Sequence, residues 1–336
     1  METKKKVTIQ DIAARAGVSV STVSRVLNNN APVAGGTREA ILAAIDELNY
    51  KPNLFAQGLV KGQSRTIGVL TQLLSSPFFD SILRGMMDCL NTTRYLPLFA
   101  DGNWVAYKEK MTIEALLSRN IDGLIVLGGT LSDDYLVEVA QKVPLIVVAR
   151  EIKALPGQCL FMDNVAAAAM ATSYLIESGH RRIAHITGLL SHRDAIDRKG
   201  GYLQALAEAH LPENPDLLVE GDYTESSGVL AAEMLMTRGR SFSAVFAAND
   251  QMAYGARLAL YRRGIRVPED ISIVGFDDQA PSSFMTPPLT TVQWPPFEIG
   301  RAAVQALIQR IDGKSEPLPV FPPRLVFRES VARRRP

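Results

Sequence analysis

Apolar residues along the first fifty positions recur at three- and four-residue steps. Ile12, Ala13 and Ala16 share one helical face, Val18, Val23 and Val26 a second, and Ile41, Ala44, Ile45 and Leu48 a third. Thr8 stands where it can cap a helix beginning at Ile9, with Asp11 at the capping-box position, where the helix dipole also favours an acid. Gly17 permits a tight turn, and Ser19 can cap a second helix running to about Leu27. The third helix ends before Tyr50-Lys51-Pro52, because a residue preceding proline is pushed out of helical backbone. Small Ala13 lets two short helices approach, Gly17 turns the chain and Val23 locks the crossing, a spacing that predicts a helix-turn-helix. An ordinary helical hairpin inside a larger core is the alternative.

From Arg65 the pattern changes to short apolar runs alternating with helical stretches. Strands are predicted at 66–70, 96–100, 123–127, 144–148, 182–187, 217–221, 244–247 and 271–275. Such alternation implies a doubly wound parallel sheet. Eight strands exceed one comfortable sheet, so two α/β lobes with a cleft between them are expected. Extended pieces near Met162, Thr290 and Val320 are placed to carry the chain from one lobe to the other.

With 336 residues, 47% of them apolar and 21% charged, the chain is long enough for two or three domains with real cores. Its net charge of +1 hides an asymmetry: residues 1–65 carry nine Lys/Arg against five Asp/Glu. The basic surplus lies beside the helix-turn-helix, where it can meet phosphate. Cys89 and Cys159 are far apart and lack metal-type spacing, which points to a reducing compartment. The start METKKKVTIQ has no apolar core of a signal peptide, and "GLIVLGG" and "VPLIVVA" are too short to span a bilayer. A cytoplasmic protein without membrane contact is expected.

In a helix-turn-helix the N-terminal part of the second helix enters the major groove, which puts Val20, Ser21, Thr22 and Arg25 near base edges. Arg25 can read guanine bidentately, Ser21 and Thr22 can hydrogen-bond to bases or phosphates, and Val20 can touch a thymine methyl. Thr8, Ser19, Ser24, Asn28, Tyr50 and Asn53 complete the DNA-facing set.

Two stretches, "VTIQDIAARAGVSVSTVSRVLN" and "TREAILAAIDELNYKPN", make the chain resemble the LacI/GalR family of bacterial transcriptional repressors. Later landmarks extend the likeness over essentially the whole chain: "IGVL" at 67–70, "PFF" at 77–79, "GHRRIAHITG" at 179–188, "AANDQMAYGA" at 247–256, "VPEDISIVGFDD" at 267–278 and "PPLTTVQWP" at 287–295. The resemblance implies a helix-turn-helix headpiece at 1–52, a hinge at 53–64 and an effector-binding and dimerising core at 65–336. One lobe then spans about 65–162 and 293–320, the other about 163–291 and 321–333. It also implies a core like that of periplasmic sugar-binding proteins, a pseudo-palindromic operator, and a homodimer to match it. "RLVFRESVARRRP" has no leucine heptad of the kind that makes tetramers. In the family the hinge turns helical on operator DNA and wedges a leucine into the minor groove, so Ala56 and Leu59 are its candidates here. Gln57 and Gly58 depart from the usual arginine and serine of that hinge, and Gly35 and Gly36 replace acidic residues and are expected to fray the third helix.

Ligands of such lobes meet the carboxyl ends of strands. Phe78 and Phe79, followed by Asp80, can pack on the apolar face of a sugar or base. Asp101 with Asn103 can accept from hydroxyls, and Arg150 can donate to the ligand or pair with the other lobe. Tyr223 and Asn249 also sit just past strands. By resemblance, Arg198 is the arginine that grips the ligand and Asp277 accepts from its hydroxyls, whereas Asp250 and Asp278 are read as caps of the segments that follow. "PFF" and "ADG" look closer to sugar-responsive than to purine-responsive members, so a carbohydrate effector is expected, and no anionic-phosphate pocket stands out.

Enzyme readings find little support. The chain has no GxGxxG, Walker lysine, HExxH or CxxC motif, and His180, His185, His192 and His210 have no metal spacing. No cofactor is expected. A Rossmann-type dehydrogenase and a free sugar-binding module remain the alternatives to a regulator.

Overall fold

The computed structural model describes residues 7–28, 32–50, 63–74, 76–239 and 241–334. The expected hinge contacts Asn53, Ala56 and Leu59, with Gln57 and Gly58, lie outside these residues, as does the side chain of Asn28. The chain divides into two compact units, Met1–Ser64 and Arg65–Pro336.

In the first unit α1 (Ile9–Ala16), α2 (Val20–Asn28) and α3 (Gly35–Glu47) enclose a small core in which Ile12, Val23 and Ile41 are completely buried. The backbone N–H and the hydroxyl of Thr8 both donate to Asp11 Oδ2 at 2.7 Å, which pins the start of α1. Gly17, at φ +66°, ends it in a left-handed turn. Gly35 and Gly36 both lie within α3. The helix begins at Gly35, and Arg38 N–H donates to Ala34 O at 3.0 Å to close its first turn.

The second unit contains two sheets, as the alternation of runs implies. The first has strand order β2-β1-β3-β4-β5, from β1 (Thr66–Thr71), β2 (Leu96–Asp101), β3 (Gly123–Leu127), β4 (Leu145–Val148) and β5 (Cys159–Leu160), all parallel. The second runs β11-β10-β9-β8-β6-β7, from β6 (Ile183–Thr187), β7 (Leu218–Glu220), β8 (Ala244–Ala247), β9 (Ser272–Phe276), β10 (Thr290–Gln293) and β11 (Arg324–Val326). Only the β10–β11 pairing in it is antiparallel. Strands β3, β4, β6, β8 and β9 are buried end to end, because helices cover both faces. The piece at Thr290 belongs to the second sheet rather than to a bare connection, and the chain crosses between lobes after β5, after β10 and before β11.

Helices pack across the sheets in pairs: α4 (Pro77–Leu90) with α11 (Pro296–Ile311), α7 (Asn164–Glu177) with α8 (Arg193–Glu208), and α9 (Glu225–Thr237) with α10 (Asp250–Arg262). The remaining helices of the first lobe are α5 (Ala106–Leu117) and α6 (Asp133–Ala140). The α4–α11 crossing is close because both helices place a glycine there. A Cβ on Gly85 would lie 1.9 Å from Phe297 O, and one on Gly300 2.1 Å from Ile82 O. Alanine at Gly85 gains about 1 kcal/mol of helix propensity but must push two backbones apart. Gly85→Ala is therefore expected to destabilise the protein by roughly 1 to 3 kcal/mol, read as a lower urea midpoint. An unchanged midpoint would mean that the helices separate freely.

Candidate functional site

The loops at the carboxyl ends of strands from both sheets enclose a cavity of about 560 Å³. Of the eight core residues expected there, Phe78, Phe79, Arg150, Arg198, Tyr223, Asn249 and Asp277 line it, and Asp101 does not. Asp101 is a turn residue: its carboxylate accepts from Leu74 N–H at 3.0 Å and Asn103 N–H at 2.7 Å. Asp80 is exposed and pairs with Arg84 along α4.

Arg198 projects from α8 and is buried. Its Nε donates to Asn164 Oδ1 at 2.9 Å, Nη1 donates to Ala248 O, and the guanidinium carbon lies 3.8 Å from the centre of the Phe276 ring. Asp194, one turn earlier on α8, is 3.9 Å away. Asp277 follows β9 with φ at +105°, and its N–H donates to Val292 O at 2.8 Å. Burial pushes the Asp277 carboxyl up to about 8, although the Arg198 charge pulls the other way. Tyr223, at φ +70°, donates its hydroxyl to Asp194 Oδ2 at 2.9 Å, over Gly188, where any Cβ would fall inside the phenol ring.

Asn249 lines the cavity but is engaged locally. Its Oδ1 caps α10 by accepting from Met252 N–H at 2.9 Å, and its Nδ2 donates to Tyr223 O at 2.9 Å. Arg150 is also committed. Its Nη1 donates to Leu131 O at 2.6 Å and its Nη2 pairs with Asp133, so the salt bridge stays within its own lobe. The two acids read as caps do other work. Asp250 is a fully buried hub that accepts from Ser282 Oγ and Thr291 Oγ1 at 2.6 Å and from Gln279 N–H at 2.8 Å, and burial raises its carboxyl to about 7. Asp278 accepts from Arg328 Nη2 at 2.6 Å and Gln293 Nε2 at 2.7 Å.

Sequence reasoning did not pick out Trp104, Phe161, His192, Asp194 and Trp294, all of which line the cavity. Trp104 lies three residues past the end of β2, so the strand-end rule that drew attention to Asp101 stopped too early. Phe78 stacks on Trp294 at 6.3 Å and meets Phe79 edge-on at 5.5 Å, which gives the first lobe a set of aromatic planes. Acids outnumber bases on the walls: Glu151, Asp163, Asp194, Asp197, Asp222 and Asp277 against Arg150, Arg193 and Arg198.

In the first unit, the hydroxyls of Ser21 and Thr22 each lie 2.8 Å from Ser19 Oγ, and Thr22 N–H donates to Ser19 Oγ at 3.2 Å. Val20, Ser21 and Arg25 are exposed along α2, with Thr22 and Ser24 half-buried. Thr8 is exposed but engaged with Asp11, and Tyr50 packs partly buried against the helical core.

Residues 8–53 match the model of bacterial regulatory proteins, lacI family, and residues 172–331 that of a periplasmic binding protein-like domain. The chain is 36% identical over 330 residues to the HTH-type transcriptional regulator GalR of Escherichia coli, an alignment covering 97% of this chain and 96% of that one. The chain belongs to the lacI family. As a lacI-family member it is a DNA-binding transcriptional regulator and not an enzyme. The crystal structure of the lac repressor dimer bound to operator and the anti-inducer ONPF matches it with a TM-score of 0.88 at 31% identity, covering 98% of this chain and all of that one. A transcriptional regulator CelR–cellobiose complex matches with a TM-score of 0.70 at 33% identity, covering 97% of this chain and all of that one. No helix among the described residues of this lacI-family protein is long and apolar enough to cross a membrane.

The raised carboxyls carry a pH dependence. Asp277 and Asp250 hold their protons more tightly when folded than at the ordinary value of 3.8, so the stability this contributes is complete below about pH 4 and is lost as pH rises through about 7 to 8. Without effector, the melting temperature is expected to fall between about pH 5 and about pH 8.5, and Asp277→Asn to make that fall shallower. A wild-type slope that Asp277→Asn leaves intact would assign the titration elsewhere.

Proposed function

We propose that this regulator is a cytoplasmic homodimeric repressor that reads a pseudo-palindromic operator with α2 and responds to an uncharged carbohydrate held between its core lobes. The observation that carries the effector reading is the convergence of Arg198 and Asp277 on one aromatic-walled cavity whose acids outnumber its bases. Forked donors and a carboxyl acceptor suit vicinal hydroxyls, flat rings suit the C–H face of a pyranose, and the acids of the wall other than Asp277, five against three arginines, disfavour phosphate or carboxylate ligands. The cellobiose complex of a relative agrees with this class. Operator reading is supported by the exposed edge of α2, where Arg25, Ser21 and Val20 stand clear of the helical core.

The effector reading is tested by thermal shift against D-galactose, D-glucose, D-ribose, cellobiose, glucose 6-phosphate and hypoxanthine. A ligand at a hundred times its dissociation constant stabilises by about 2.7 kcal/mol. One or more of the neutral sugars is expected to shift the wild type, and Asp277→Ala or Arg198→Ala to abolish that shift. Stabilisation by the phosphate or the purine alone would reject the carbohydrate class.

Operator reading is tested on a duplex selected from a random library. Arg25→Ala is expected to weaken binding there by about 1 to 3 kcal/mol in gel-shift titrations while barely changing nonspecific binding. Equal losses on both DNAs would make Arg25 a phosphate contact.

A further inference from the structure

Asp277 and Asp278, which follow β9, both stand in the left-handed region, at φ +105° and +49°. Two successive residues other than glycine in that conformation are strained, and they persist only where their surroundings fix them. Three consecutive amides are held here. Asp277 N–H donates to Val292 O at 2.8 Å, Asp278 N–H to Thr291 Oγ1 at a longer 3.4 Å, and Gln279 N–H to Asp250 Oδ2 at 2.8 Å. Thr291 hands its share on, since its hydroxyl donates to Asp250 Oδ1 at 2.6 Å. Two of the three amides are therefore held by one carboxylate.

Asp250 is fully buried at the first position of α10, where Asn249 already supplies the cap. Burial disfavours its charge, and its partners Gln279, Thr291 and Ser282 are neutral donors. The neighbouring strand leaves it room: a Cβ on Gly275 of β9 would lie 2.2 Å from Oδ1. A carboxylate suits the place because it accepts at both oxygens and donates at neither. Its branches run in different directions. Thr291 and Gln279 lead to the turn at Asp277, whereas the Ser282 hydroxyl, 2.6 Å from Oδ2, leads away to the hydroxyl of Tyr254 at 2.7 Å.

We infer that Asp250 is a positioning residue for effector recognition. It does not line the cavity. By holding Gln279 N–H directly, and Asp278 N–H through Thr291, it keeps the left-handed turn that presents Asp277 to the ligand. The inference rests on the carbohydrate reading of the cleft. A hydrogen bond weakens steeply as its geometry is spoiled, so the affinity of the site depends on a carboxylate outside it.

The two branches separate positioning from general stability. Thr291→Val keeps the side-chain shape and removes the hydroxyl on the Asp277 side. In calorimetry it is expected to weaken the sugar that binds wild type best among D-galactose, D-glucose, D-ribose and cellobiose by about tenfold. Thr291→Ser, which keeps the hydroxyl, should stay within about threefold of wild type. Ser282→Ala takes a donor from the same carboxylate on the other branch; it should lower the melting temperature yet leave sugar affinity within about threefold. Asp250→Asn turns one acceptor into a donor and should weaken the sugar, but should cost less in the Asp277→Asn background, because it acts through Asp277. Should Thr291→Val not fold, that cycle carries the test. Unchanged affinity in Thr291→Val or Asp250→Asn, equal weakening by Ser282→Ala, or losses that multiply in full in Asp250→Asn/Asp277→Asn overturn the inference while leaving the carbohydrate reading standing. A wild type that binds none of the four sugars overturns the carbohydrate reading, and the inference with it.

Discussion

Arg198 carries a permanent positive charge into a wall where water reaches it poorly, and most of the cleft follows from what that charge requires. A buried guanidinium is tolerated only when its donors are engaged and an opposite charge stands near. Asn164 and the Ala248 carbonyl take two of its donors, Asp194 stands 3.9 Å away, and the face of Phe276 lies beneath it. These partners come from α7, the end of β8, α8 itself and β9, so one side chain ties four elements together at the cavity floor. Asp194 in turn orients the Tyr223 hydroxyl, and Arg198 is the charge that opposes the protonation of Asp277.

This arrangement suits regulation. A ligand shifts a conformational equilibrium only by the difference between its affinities for the two states. A site built wholly on one lobe would bind equally whether the lobes were near or apart. Here Arg198 and Asp277, the polar residues of the proposed site, belong to the second lobe and Phe78, Phe79 and Trp104 to the first, and the chain crosses between the two lobes at three places. On the proposed reading, both sets reach one ligand only when the lobes stand close, which is the condition for a binding event to bias them.

Much of this was legible in the chain. The helical steps of Ile12, Val23 and Ile41, the Thr8–Asp11 cap, the turn at Gly17, and the change at Arg65 to apolar runs separated by helices are local patterns, and local patterns survive into the fold because each is enforced by neighbours within a few residues. The likeness to a repressor family pointed to Arg198 and Asp277, and both line the cavity. One strand-end rule was applied to residues whose side chains also have closer partners, of which only Asp101 lies off the cavity. Asp101 satisfies its own turn, Arg150 pairs with Asp133, and Asn249 rather than Asp250 caps α10. α3 forms through Gly35 and Gly36 because Ile41 and Ala44 are buried against α1 and α2.

The sequence by itself determined the order of elements, the small helical unit ahead of an α/β core, the basic surplus at its start, and the class of regulator. Periodicity, caps and charge are properties of adjacent residues, and they need no partner from elsewhere. Only the tertiary structure decided that Asp250 is a buried hub, that Trp104 lies on His192, and that Asp194 stands between Tyr223 and Arg198. These residues lie from four to more than eighty positions apart, and whether a carboxyl ends as a cap, an ion pair or a ligand contact depends on which donor the packed sheets and helices bring within reach.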